Sequence, residues 1–252
     1  MSDMFATAGR TANKGGIMRL ILACYLTLLG TFCLAAAPIE SAARSCTGSY
    51  KGAISDHFDG TRFFHGEKDY TFIEMLKWMW TMNPAKWPEW IEDTAYPPPP
   101  KNVAKGELRI THINHATLLI QVDGRNILTD PVWSERTSMV SWAGPKRVRA
   151  PGVKIQDLPY IDVILISHDH YDHLDIASLK QLTQNHDTKI ITGLGVGEFL
   201  RSEGFKNVVE LDWWQGHESL PDDQKIVFVP ARHNSGRGLF EVGWKKWTPS
   251  LQ

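Results

Sequence analysis

Cysteine is scarce in this chain, with three among 252 residues; Cys24 and Cys33 share one apolar run, leaving Cys46 alone for the remainder. A disulfide framework is therefore not expected, and neither is a zinc knuckle built on thiolates. An excess of one charge is lacking too. Lys plus Arg number 27 against 28 Asp plus Glu, a net charge of −1, and no long single-sign run could track a nucleic-acid backbone. Nucleic acid is not an expected partner. Low complexity is confined to Pro97 to Pro100, and no internal repeat occurs. What is present is globular material, 22% charged and 42% apolar, with 10 Trp that call for buried or interfacial ring surface.

Three stretches follow one another. Leu20 to Ala37 is uncharged, follows Arg10, Lys14 and Arg19, and ends in small residues before Ser41-Ala42-Ala43. It reads as an N-terminal apolar helix, either a cleaved signal peptide or a retained anchor, and residues 1–43 would direct export to a bacterial-type cell envelope or hold the chain at the inner membrane. Residues 44–105 form an extension: Phe72, Met75, Leu76, Met79 and Trp80 recur at helical spacing between Tyr70 and Pro84, and the four prolines make a stiff linker. Trp and Met at such spacing more often serve a core than a lipid-facing surface. Residues 106–252 change to strands alternating with helices, an α/β class: Leu108 to Val122, a hairpin signal at Asp123-Gly124, Asn126 to Thr129, Ile161 to Ile166, Lys189 to Thr192 and Lys225 to Val229, with helical patterns near Leu174 to Gln184 and Val196 to Ser202.

One segment concentrates the chemistry. Ser167-His168-Asp169-His170-Tyr171-Asp172-His173 follows the apolar strand Val163 to Ile166. His168 and His170, two apart, point the same way in extended backbone and can share an ion, while Asp172 and His173 can serve a second beside it. Imidazole with carboxylate favours zinc, with iron or manganese as alternatives.

His168-x-His170-x-Asp172-His173 resembles the HxHxDH signature of the metallo-β-lactamase superfamily. Ser55-Asp56-His57-Phe58-Asp59-Gly60, Thr111-His112-Ile113-Asn114-His115-Ala116-Thr117, Leu128-Thr129-Asp130-Pro131-Val132, Gly144-Pro145-Lys146-Arg147 and Pro230-Ala231-Arg232-His233 are similar to its branch of N-acylphosphatidylethanolamine-hydrolysing phospholipases D. The resemblance implies an αββα sandwich and one or two Zn²⁺ ions, with His168, His170 and His233 on the first and Asp172 and His173 on the second. It also implies a metal-bound water as nucleophile with Asp172 as the catalytic carboxylate beside it, and His115 and Asp130 as pocket groups or outer partners that orient the ligands. A turn-like structural loop is the reading for His57 and Asp59.

The superfamily places a bridging Asp and a last His after the position of His233, and Glu241 to Gln252 contains neither residue type. The expectation is a sandwich incomplete at the C-terminus, a partial domain that binds about one zinc and hydrolyses weakly. The activity implied is hydrolysis of a phosphodiester, an N-acylphosphatidylethanolamine-type phospholipid, near a membrane. The alternatives are a lactonase or other ester hydrolase on the same metals, or a metal-binding protein with impaired catalysis.

Overall fold

The computed structural model describes residues 50–61, 63–64, 72–93, 96–218, 225–231, 233, 235–237 and 249–251. The apolar run at 20–37 and all three cysteines lie outside these residues. No helix among the described residues is long and apolar enough to cross a membrane.

Helix α1 (Phe72–Thr81) is the expected aromatic helix, ending before Pro84. Its role as core is corrected by the structure: Ile73, Trp78 and Trp80 are 75%, 63% and 67% exposed. The apolar stripe is there but lies open to solvent: Leu76 and Met79 on it are 41% and 45% exposed. Of the described tryptophans, Trp133 and Trp213 pack against the core.

The main sheet has six strands in sequence order. β1 (Leu108–Asn114), β2 (Thr117–Val122) and β3 (Arg125–Thr129) pair antiparallel. β4 (Val163–Leu165), β5 (Lys189–Gly193) and β6 (Val208–Leu211) then continue from β3 in parallel. β2 alternates buried and half-buried positions, as a strand with one covered face should, whereas β4 is buried throughout, as a central parallel strand covered on both faces requires. The stretch Leu108 to Val122, β-rich along its whole length, is broken into two strands by a turn at His115-Ala116. His115 there adopts φ 30°, a left-handed conformation that no Gly or Pro announces. The next turn carries the expected signal, Asp123-Gly124, both with positive φ.

Helices α2 (Ile176–Thr183) and α3 (Val196–Ser202) follow β4 and β5. Asp175 caps α2, accepting from Ala177 N at 3.1 Å and Ser178 Oγ at 2.5 Å, and its Oδ2 also takes the backbone N–H groups of Trp133 and Ser134 at 3.2 and 2.9 Å. Asp175→Ala should therefore exceed the ~1 kcal/mol of a lost cap, since further donors lose a partner at ~1–3 kcal/mol each. A total of about 3 kcal/mol in urea unfolding is the expected result.

A second sheet contains β7 (Gly216–His217), β8 (Ile226–Pro230) and β9 (Pro249–Leu251), antiparallel in that order. Phe228 on β8 is fully buried, and the preceding loop holds β8 through Trp214 N to Phe228 O at 2.7 Å. The extension is tied down as well. Gln121 donates to Pro100 O and Asn126 to Lys101 O, at 2.9 and 2.8 Å, while Tyr96 N donates to Gly152 O. The DHFDG turn packs Phe58 and Phe63 into the core, and His57 lies between Asp56 and Asp212 at 2.5 and 2.7 Å, stacked on Trp213.

Candidate metal centre

β3 and β4 run parallel, and their carboxyl ends, the usual location of sites on parallel sheets, deliver Asp130 and the stretch 167–173 to one place. Asp130 N is held by Leu165 O at 2.8 Å and Ile166 N by Ile191 O at 2.9 Å, so the loops leave the sheet in fixed directions. β8 ends at Pro230 and brings His233 to the same place from the other sheet.

His168 Nε2 stands 3.0 Å from His170 Nδ1 and 3.0 Å from His233 Nε2, and the last two nitrogens are 3.3 Å apart. Three imidazole nitrogens aimed at one point cannot all be satisfied by protons shared among themselves. With Zn–N bonds of ~2.0–2.1 Å, a tetrahedral ion has nitrogen–nitrogen edges of about 3.3–3.4 Å, close to the spacing observed. The donor set therefore fits a zinc-type cation. His115, Asp172 and His173 form a second group. Its spacing is looser, with Asp172 Oδ2 3.2 Å from His115 Nε2 and 3.8 Å from His173 Nε2. The pair Asp172 and His173 thus has a third potential donor, and His115 is no buried histidine: its side chain is 58% exposed in the β1–β2 turn.

Asp130 lies behind both groups. Its Oδ2 accepts from Ser167 Oγ at 2.7 Å and from His173 Nδ1 at 2.8 Å, and its Oδ1 accepts from Ser167 N at 2.7 Å. Ser167 Oγ in turn stands 2.9 Å from His168 Nδ1. With the Nδ1 protons of His168 and His173 directed into this chain, each Nε2 keeps its lone pair facing outward. Ser167 was not legible as a participant, because only its position beside the histidines marked it.

Burial pushes the His168 imidazole down to about 2, helped by His173, His170 and His233. Burial likewise lowers His170 and His233. His173 differs: burial lowers it, but the hydrogen bond and charge of Asp130, with Asp172, outweigh burial and raise it. A histidine with a lowered folded value leaves the unfolded chain to take up protons first, so its contribution is full above the ordinary 6.5 and shrinks as pH falls below it. His173 works in the opposite sense, gaining below its raised value. Three lowered groups against one raised predict that the metal-free chain has a lower urea midpoint at pH 5 than at pH 7.

Two cavities open on the site. One of about 500 Å³ is bounded by Asp130, His168, His173 and His233. The other, about 600 Å³, runs from His115 and Asp172 along Asn114 and Arg147 to Trp87 and Tyr96 of the extension.

Residues 125–248 match the model of the beta-lactamase superfamily domain. An uncharacterized protein of Mycobacterium tuberculosis is 42% identical over 153 residues, 58% of this chain and 41% of its own length. The N-acyl-phosphatidylethanolamine-hydrolyzing phospholipase D 1 of Caenorhabditis elegans is 38% identical over 146 residues, covering 55% of this chain and 41% of the worm protein. Among solved structures, a metallo hydrolase from the archaeon Ignicoccus hospitalis aligns over 57% of this chain and 53% of its own, at 20% identity and a TM-score of 0.41. The chain spans about 41% of the length of the first two relatives. Over residues 125–248 the chain is thus similar to the beta-lactamase superfamily domain.

Proposed function

We propose that this chain carries the metal centre of a zinc-dependent phosphodiesterase of the phospholipase D type, acting on a phospholipid such as an N-acylphosphatidylethanolamine. Its two sheets are the facing layers of an αββα sandwich. The observation that carries the reading is the convergence of two donor groups, His168, His170 and His233 beside His115, Asp172 and His173, at one sheet end. The named phospholipase D relative supports the substrate class.

When bound, zinc supplies Lewis acidity toward a phosphoryl oxygen and makes a water nucleophilic near neutral pH. The chain's own residues do the rest. Asp130 and Ser167 fix the tautomers of His173 and His168, and low imidazole pKa values keep the first three donors neutral at physiological pH. Asp172, 43% exposed and facing the 600 Å³ cavity, presents its carboxylate beside the reacting group.

Elemental analysis of the purified 252-residue chain, with hydrolysis of bis(p-nitrophenyl) phosphate and a long-chain lactone, tests this. One firmly held zinc per chain, a second held only weakly through the added donor His115 and lost in His115→Ala, and slow cleavage of the diester are expected. A protein without bound zinc, or one that opens the lactone and leaves the diester intact, would overturn it.

A further inference from the structure

The two halves of the first donor group reach the site differently. His168 and His170 are neighbours on one loop, whereas His233 arrives from another sheet, 65 residues away from His168. The hydrogen bonds that hold the His233 segment against the histidine loop come from the three residues just beyond it. Asp169 Oδ1 accepts from Ser235 Oγ in a short hydrogen bond and from Gly236 N at 2.7 Å. Arg237 Nη1 donates to Asp169 O at 2.7 Å and Leu174 O at 2.8 Å. Its guanidinium lies 4.0 Å over the Tyr171 ring, and Tyr171 Oη donates back to Arg237 O at 3.1 Å. Asp169 and Ser235 are 0% and 1% exposed, so the bond between them is shielded from water.

Asp169 sits between His168 and His170, and in an extended stretch the middle side chain points away from its two neighbours. The donors thus face the site while Asp169 faces the opposite way, onto residues 235–237. Among the described residues Asp169 Oδ2 has no hydrogen-bond partner although it is buried. An unpaired buried acceptor of this kind is destabilising, and a packing role alone would be served better by an apolar residue.

From this geometry we infer that Asp169, with Ser235 and Arg237, is a latch that positions His233 on the first donor group, so that the third imidazole is in place before any ion arrives. Asp169 is a positioning residue; it touches no donor atom of the site. The inference rests on the metal reading above, because it assigns a purpose to an arrangement whose ligands that reading names.

The test compares the wild-type chain with Asp169→Ala, Asp169→Asn and Ser235→Ala, by zinc competition against a chromophoric chelator, Co²⁺ visible absorption, and amide exchange at residues 235–237. Outer partners of metal ligands are worth ~10–100-fold in affinity, and a loss in that range is expected for Asp169→Ala. The intense Co²⁺ band of a four-coordinate site should fade with it. Asp169→Asn retains the accepting Oδ1 and should restore both affinity and spectrum, a rescue that simple loss of packing would not show. If Asp169→Ala does not fold, Ser235→Ala, which deletes a single hydroxyl, decides the matter with a smaller loss in the same direction. Unchanged zinc affinity and spectrum in a folded Asp169→Ala, or in Ser235→Ala where that variant decides, would overturn the latch. Should the wild-type chain bind neither ion, the metal reading fails and the latch is judged on exchange alone: faster exchange at 235–237 in Asp169→Ala supports it, and equal rates refute it.

Discussion

Asp130→Ala should disable both donor groups at once and destabilise the metal-free fold by several kcal/mol. Asp130 is 5% exposed and serves as acceptor for three donors: Ser167 N, Ser167 Oγ and His173 Nδ1. Each donor stranded in the interior costs ~1–3 kcal/mol, so a loss of at least about 3 kcal/mol is the expected change in urea unfolding. Backbone strain acts in the same direction, because Asp130 adopts φ 35°, a region that Asp and Asn tolerate far better than Ala. Asp130→Asn should separate the two effects. It keeps the backbone conformation and so recovers much of the stability, but only one of its two terminal atoms can accept, so either Ser167 N or the pair Ser167 Oγ and His173 Nδ1 loses its acceptor. Zinc affinity should remain depressed while the unfolding midpoint returns toward wild type.

His168→Ala gives the opposite pattern. In the metal-free chain it should cost little beyond lost packing, since it removes one of three imidazoles whose nitrogens face each other at 3.0–3.3 Å. With zinc present the difference becomes large. Free zinc at a thousand times the wild-type Kd stabilises the folded state by ~4.1 kcal/mol. Loss of a direct ligand should weaken binding by more than the ~10–100-fold of an outer partner, reducing that gain to under about 2 kcal/mol. Thermal or urea unfolding with and without zinc reads both halves of this expectation, and a zinc-dependent gain equal to wild type would remove His168 from the ligand set.

How much of this was legible in the sequence depended on distance along the chain. The buried strand Val163 to Leu165 and the histidine cluster after it are local patterns, and both stand where the apolar run and ligand spacing put them. β1 and β2 were less legible: the apolar stretch is continuous, and only a left-handed His115 splits it, lifting that imidazole toward Asp172. His115 thus belongs with Asp172 and His173 because of a turn that composition does not signal. Asp130 was legible through family resemblance alone, since a single Asp after a strand has no pattern of its own. Ser235 and Arg237 were invisible, because their partner Asp169 lies 66 and 68 residues away and pairing at that range leaves no periodic trace. Met79 and Trp80 misled, because spacing reports which residues share a helical face and not whether anything covers it.

The separation of His233 from the other two imidazoles also sets a schedule for synthesis. His170 precedes His233 by 63 residues, and at ~5–20 residues per second a ribosome needs about 3–13 s to cover that interval. During those seconds the emerging chain offers two imidazoles on a loop whose third member has not been made, a half-site that holds ions weakly and exchanges them freely. On the metal reading, an ion would meet the complete three-imidazole group only once β8 has emerged and docked, and before that only His168 and His170 of the group on an unfinished polypeptide.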